Sequence, residues 1–288
     1  MTTPAWFERN LAEQPDRGTI QVDGCAIETL AWGARGSRGL LLVHGNGAHA
    51  DWWVPFGPFF SADWRVGAFS LSGMGRSGWR DQYDMSIHVS EMVAAAEALG
   101  LFEGNEKPWA IAHSLGGIGG AYLAASDHGE RFAGVIIVDS GAVRPQDRLP
   151  VIPRPSQHPG YATIEEGVAR FRVRPEQPGI APWLLEFLGK RSLYAGRDGR
   201  WYWLFDPDGN AKRSKEYIGT LREVIPKARC PLYFIWGEHS AVMTAESKAI
   251  NRDIAPPGTR FVEIPAAHHQ LMLDQPLAFV AAVRGLLA

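Results

Sequence analysis

Cysteine is scarce in this chain of 288 residues: there are two, Cys25 and Cys230. So few thiols, so far apart, exclude a disulfide-stapled scaffold and a cysteine metal site, and suit a reduced, cytoplasmic protein. Neither sign of charge dominates, with 29 Lys and Arg against 31 Asp and Glu and a formal net charge of -2. That balance provides no electrostatic field for nucleic acid or an anionic membrane. No apolar run reaches the roughly 18 residues that a membrane helix needs. The opening MTTPAWFERNLAEQPDRG is polar and lacks the basic-then-apolar order of a signal peptide. Dinucleotide fingerprint, P-loop and metal-ligand spacing are all missing, so no cofactor and no metal are expected. Internal repeats and low-complexity tails are missing too.

What the chain has is alternation. Short apolar runs closed by small or turn residues read as buried parallel strands: GLLLVHG (39–45), WAIAHS (109–114), GVIIVDS (134–140) and PLYFIWG (231–237), with weaker RVGAFSL (65–71) and RFVEIP (260–265). TIQVDGCAIETLAWG (19–33) reads as a hairpin turning at Asp23-Gly24. Helical patterns lie between: SIHVSEMVAAAEALG, with Ser86 as its expected cap, LGGIGGAYLAASDHG, MTAESKAINRDI and LDQPLAFVAAVRGLLA. The fold class expected is α/β, a mostly parallel central sheet with helices on both faces.

Alternation lapses from about 142 to 226. The proline-rich PQDRLPVIPRPSQHPG is followed by helical candidates TIEEGVARFRV, APWLLEFLGKRSLYA and SKEYIGTLREVI, with GRWYWLFDPDG among them. The division expected is a core of 1–142 and 227–288 with an inserted, largely helical cap at 143–226.

Ser114 stands between a strand and a glycine-rich helix, in Ala112-His113-Ser114-Leu115-Gly116. A nucleophile presented on a tight turn needs small residues two before and two after it, as in the G-x-S-x-G elbow. A serine capping a helix is the plainer alternative. VHGNGAHADWW (43–53) follows an earlier strand, so an N–H near Asn46, with that of Leu115, can form an oxyanion hole. IPAAHHQLMLDQP places His268 and His269 after the last strand, where a serine's general base can stand.

LLLVHGNG, LSGMGRSGW, AHSLGG, IWGEHS and AHHQLMLDQPLAFV follow in the order seen in the α/β-hydrolase fold family, and nearly the whole chain resembles its lidded subgroup. That subgroup includes esterases, carbon–carbon bond hydrolases, haloalkane dehalogenases and epoxide hydrolases. The resemblance implies a proline seven residues after the catalytic histidine. Counting back from Pro276 gives His269 as base, with His268 as a packing or pocket-rim residue.

The same resemblance implies an acid after PLYFIWG, in a pattern like G-x-x-D. Here the chain reads Gly237-Glu238-His239-Ser240. Two carboxylates compete: Asp139, at a strand end where some members of the family carry the acid, and Glu238. Absence of a charged third member is the other possibility. Asp274 reads as a helix N-cap before Pro276.

The aromatics of the cap, Trp183, Phe187, Trp201, Trp203 and Phe205, read first as core; with Trp52, Trp53, Phe56 and Trp79 their number also suits a hydrophobic pocket, for which Trp53, His113 and His268 are the candidate lining residues. Arg154, Arg170, Arg172 and Arg174 read chiefly as solvated surface and otherwise as a carboxylate site. A serine at 114 argues against the dehalogenase and epoxide hydrolase chemistries, which the resemblance ties to an aspartate nucleophile. The expected activity is hydrolysis of an ester or related acyl bond of a small, hydrophobic substrate. Carbon–carbon cleavage of a diketone, a cofactor-independent lyase or oxygenase, and a small-molecule receptor without catalysis stay open. No nucleic-acid or membrane partner is expected, and monomer and dimer are equally compatible.

Overall fold

The computed structural model describes residues 2–141, 159–214 and 221–288. Eight strands form one sheet: β1 (Asp16–Val22), β2 (Cys25–Trp32), β3 (Arg38–Val43), β4 (Trp64–Phe69), β5 (Trp109–His113), β6 (Gly134–Val138), β9 (Leu232–Gly237) and β10 (Arg260–Ile264). A separate hairpin, β7 (Leu193–Ala195) with β8 (Trp201–Trp203), lies in the inserted segment. The order across the sheet is β1-β2-β4-β3-β5-β6-β9-β10. β1 and β2 pair antiparallel through Asp23 and Gly24, both at positive φ, as a tight hairpin turn requires. β2 also runs antiparallel to β4, and every pairing from β4 onward to β10 is parallel.

The side-chain period of two divides the sheet cleanly. Leu41, Val43, Ala110, Ala112, Val135 and Ile137 enter one hydrophobic cluster, and Leu40, Leu42, Ile111, Ile136 and Val138 enter the other. Burial on both faces explains why these runs are uninterrupted by polar residues. Helices Met85–Ala98 and Leu115–Ala125 cover the first face, and helix Pro276–Leu287 covers the second.

Three local expectations are corrected. The N-cap of helix Met85–Ala98 is Asp84, whose Oδ1 accepts from the Ile87 N–H at 3.0 Å, while Ser86 lies inside the first turn. Asp274 ends a short helix, Leu271–Asp274, and Gln275 precedes Pro276 at the start of the last one. In the insertion, helices Ile164–Arg170 and Pro182–Arg191 form as expected, but SLYA and GRWYW pair as the β7–β8 hairpin. Aromatic side chains, Tyr194 on one strand and Trp201, Tyr202 and Trp203 on the other, favour strand there once a partner is available. Most of the proline-rich opening, Arg154 and residues 215–220 of the last helical candidate lie outside the described residues.

From β3 the chain crosses to β4 on one side, and β5 then takes the place on the other side of β3. Successive connections leave in opposite directions at the C-terminal ends of β3 and β5. A crevice opens at such a switch point in a parallel sheet.

Candidate active site

Ser114 follows β5 directly and sits at φ 53°, ψ -115°, outside the regions open to ordinary residues. Such a conformation costs on the order of 1–3 kcal/mol and persists where the surroundings enforce it. Its backbone N–H is fixed to the carbonyl of Val138 at 2.9 Å, and the helix Leu115–Ala125 begins at the next residue. The hydroxyl makes no capping bond to that helix, so the plainer reading of Ser114 as a cap fails. A Cβ at Gly116 would stand 2.5 Å from the carbonyl oxygen of His44, so only glycine lets the helix approach β3 this closely.

The hydroxyl meets a histidine instead. Ser114 Oγ lies 3.0 Å from His269 Nε2, and His269 Nδ1 lies 2.6 Å from Asp139 Oδ2. Asp139 is fully buried at the end of β6, itself at φ 49°. It accepts two further hydrogen bonds: from the Gly237 N–H at 2.9 Å to Oδ1, and from Ser240 Oγ at 2.5 Å to Oδ2. Glu238 goes elsewhere. Its half-exposed carboxylate accepts from the Ala266 N–H at 2.8 Å and lies 3.8 Å from His239 Nε2. The structure therefore brings Ser114, His269 and Asp139 together and leaves Glu238 outside.

His268 also turns away. Its Nδ1 lies 2.9 Å from Asp274 Oδ2, which accepts its backbone N–H as well, and it does not line the cavity beside Ser114. Burial raises the Asp274 carboxyl above its usual value. His113 and Trp53 do line that cavity, together with His44, Gly45, Ala48, Trp52 and Met272. A Cβ on Gly45 would fall 3.0 Å from Ser114 Cβ, which puts the loop after β3 against the serine. Asn46, in the same loop, is exposed, and its Oδ1 accepts from Arg213 of the insertion at 2.7 Å.

Burial pushes the imidazole of His113 well below its ordinary pKa, with the neighbouring His269 adding to the effect. The neutral ring then donates from Nε2 to the His269 carbonyl at 3.0 Å, fixing the backbone of the residue that faces Ser114. Of the basic stretch, Arg174 pairs with Glu176, and Arg172 donates to the carbonyls of Ala169 and Phe171. Trp79 is exposed and stands over no part of the cavity. Among the described residues no cluster of His, Cys, Asp and Glu could hold a metal ion, and no helix is long and apolar enough to cross a membrane.

Residues 40–283 match the alpha/beta hydrolase family. The chain belongs to the alpha/beta hydrolase family. Within it, a 105-residue stretch is 36% identical to the pimeloyl-[acyl-carrier protein] methyl ester esterase of Edwardsiella ictaluri, covering 36% of this chain and 37% of that protein. Over 290 residues it is 25% identical to esterase Rv0045c of Mycobacterium tuberculosis, covering 93% and 88% of the two chains. The chain spans less than half the length of the first two curated relatives it matches, 37% and 48%. Among solved structures, E-2-(acetamidomethylene)succinate hydrolase superposes with a TM-score of 0.81 at 16% identity, over 94% of this chain and 98% of that one. At that identity the likeness is one of fold.

Sequence reasoning missed the two donors that hold Asp139, from Gly237 and Ser240. The signal was present: a serine stands where the resemblance implies an acid.

Proposed function

We propose that this alpha/beta hydrolase is a serine esterase acting on a small, hydrophobic substrate through an acyl-enzyme. The relay Ser114–His269–Asp139, with the serine held at a strained strand-to-helix turn, carries the reading. Serine is unreactive at its own pKa and needs an adjacent base. His269 Nε2 takes the Oγ proton as Ser114 attacks the ester carbonyl carbon. Asp139 keeps the imidazole oriented through Nδ1 and stabilises the imidazolium, remaining ionised itself. The Leu115 N–H, at the positive end of an 11-residue helix, and the Asn46 N–H hold the tetrahedral oxyanion. His269 then gives its proton to the departing alkoxide. Water, deprotonated by the same ring, releases the acid and restores Ser114.

Residues 143–226 serve as the cap over this site. Arg17, Arg76 and Arg191 converge on buried Asp51, and His49 Nε2 lies 2.9 Å from Ser192 Oγ, tying the end of the cap helix Pro182–Arg191 to the loop after β3. The ester relatives in the family support the choice of bond. Incubation with a fluorophosphonate probe and with p-nitrophenyl esters tests it. Labelling and turnover are expected in the wild type, and both vanish in Ser114→Ala; an unlabelled wild type that turns over no ester overturns the reading.

A further inference from the structure

The loop that carries His269 is held from two sides. At residues 266–268 the partners come from the core: Ala266 N–H donates to Glu238, the Ala267 carbonyl accepts the His239 N–H at 2.8 Å, and His268 N–H donates to Asp274 at 2.8 Å. At Gln270 they come from the insertion. Its backbone N–H donates to Gln177 Oε1 at 2.7 Å, and its side-chain Nε2 donates to the Arg174 carbonyl at 3.1 Å. Gln270 is buried, and Ile180, Ala181 and Trp183 of the same segment pack against the cluster that contains Leu271, Met272 and Leu273.

One peptide unit is gripped from both directions. The His269 carbonyl accepts from His113 Nε2 at 3.0 Å, and the N–H on the other edge of the same peptide plane is the one Gln177 takes. A trans peptide is planar, and its C=O and N–H point in opposite directions. Holding both fixes the plane, and the setting of that plane is the ψ angle of His269. One anchor, His113, immediately precedes Ser114, and its ring lies 4.9 Å from the His269 ring. The other anchor belongs to the insertion.

As packing alone the second anchor is a poor contact. Glutamine gives up much rotamer freedom when it is ordered. Gln177 Nε2 and Gln270 Oε1 are both buried without a hydrogen-bond partner among the described residues, and each such atom opposes burial. An apolar side chain would fill the position without that cost. What Gln177 supplies instead is an acceptor aimed at the Gln270 N–H. Turning its amide over would set donor against donor, so the backbone dictates the orientation.

We propose that Gln177 is a positioning residue of the esterase: from the cap it holds the His269–Gln270 peptide against His113 and so sets the imidazole on Ser114 Oγ. The proposal rests on the serine esterase reading and adds a cap residue to its machinery. Gln177 acts through the backbone, and His269 alone moves the proton.

The test uses the full chain and p-nitrophenyl butyrate. Gln177→Met keeps the length of the side chain and removes the acceptor. Its kcat is expected to fall about tenfold with KM changed less than about twofold, the pattern of a misplaced base and not of lost substrate binding. Gln177→Asn, one methylene too short, carries the same expectation should the Met variant not fold. Gln177→Glu presents an acceptor oxygen at the same reach, and the Nε2 it replaces has no described partner to lose, so it is expected to recover most of the wild-type kcat. Amide hydrogen exchange by NMR reads the contact itself: the Gln270 amide is expected to be protected in the wild type and to lose that protection in the variant without the acceptor. A wild-type Gln270 amide that exchanges as fast as in the unfolded chain overturns the proposal and requires no variant. So does an unchanged kcat in a folded variant without the acceptor, a loss confined to KM, or a loss that Gln177→Glu does not recover. These results leave wild-type ester turnover and fluorophosphonate labelling in place, whereas a wild type that shows neither overturns the esterase reading and this proposal together.

Discussion

The hydroxyl of Ser240 donates to Asp139 Oδ2, the carboxylate oxygen that also faces His269 Nδ1. Its direction is fixed, because the same Oγ accepts the N–H groups of Val242 and Met243 at 3.0 and 2.9 Å. With its lone pairs occupied, the proton has one destination. Where the resemblance implies an acid, this chain has a serine that donates to a carboxylate following the neighbouring strand.

Ser240→Ala removes a hydrogen bond to a buried charge, an interaction worth about 1.5–3 kcal/mol. Ester turnover is expected to fall about tenfold through kcat, with KM little changed. With that donor gone, the Gly237 N–H is left to fix the carboxylate, and the imidazole is oriented less well for the proton transfer. Steady-state kinetics of the variant, with circular dichroism to show it folded, check the split between kcat and KM.

Asp139→Asn is expected to lower kcat by at least about a hundredfold, since an amide cannot stabilise the imidazolium and favours the wrong histidine tautomer. Glu238→Gln should change it less than about threefold, because that carboxylate is half exposed and engages the Ala266 N–H. Steady-state kinetics on one ester, with circular dichroism to show both variants folded, separates the two.

Acid is expected to destabilise the fold through buried histidines. Burial lowers His44 to about 4 and His49 to about 3. Unfolded histidine titrates near ~6.5, so below that pH the unfolded chain binds protons first. Stability is full above about pH 6.5 and falls as pH drops toward 4 and then 3, with each unit of separation worth about 1.4 kcal/mol. Melting temperatures across pH 4–8 should show this slope, and His49→Gln, which keeps a donor for Ser192, should make it shallower.

Gly116→Ala places its methyl 2.5 Å from a backbone oxygen that cannot rotate away. Overpacking of this kind costs about 1–3 kcal/mol. Urea denaturation should register the loss, and turnover should fall as well because the helix carrying Leu115 is pushed off β3.

Much of this was legible before the fold. The runs LLLV, IAH and VIIV announced buried strands because parallel sheets hide both faces, and Ser114 was marked by the small residues around it. His269 rested on a family spacing to Pro276, and the geometry puts that ring, not His268, against the serine. Less legible were features decided by tertiary contacts. Ser86 and Asp84 are both good caps, and only backbone register chooses between them. SLYA reads as a helix continuation until β8 offers it a partner. The choice between Asp139 and Glu238 depends on which strands are neighbours, and local sequence does not encode adjacency.

The strand order has a consequence for Asp139 and His269. They follow β6 and β10, and β9 runs between those two strands. Imidazole and carboxylate meet over the end of β9, where Gly237 offers an N–H and where a Cβ would strike the Ala267 carbonyl oxygen at 2.5 Å. Their separation is thus measured out by the pairings Val138 with Ile235 and Ile264 with Gly237. A slip of one residue in either ladder would turn side chains to the opposite face and part the two groups. The alignment of imidazole and carboxylate is a property of the sheet's ruler marks, and the loops above can change in sequence and length while that scale stays fixed.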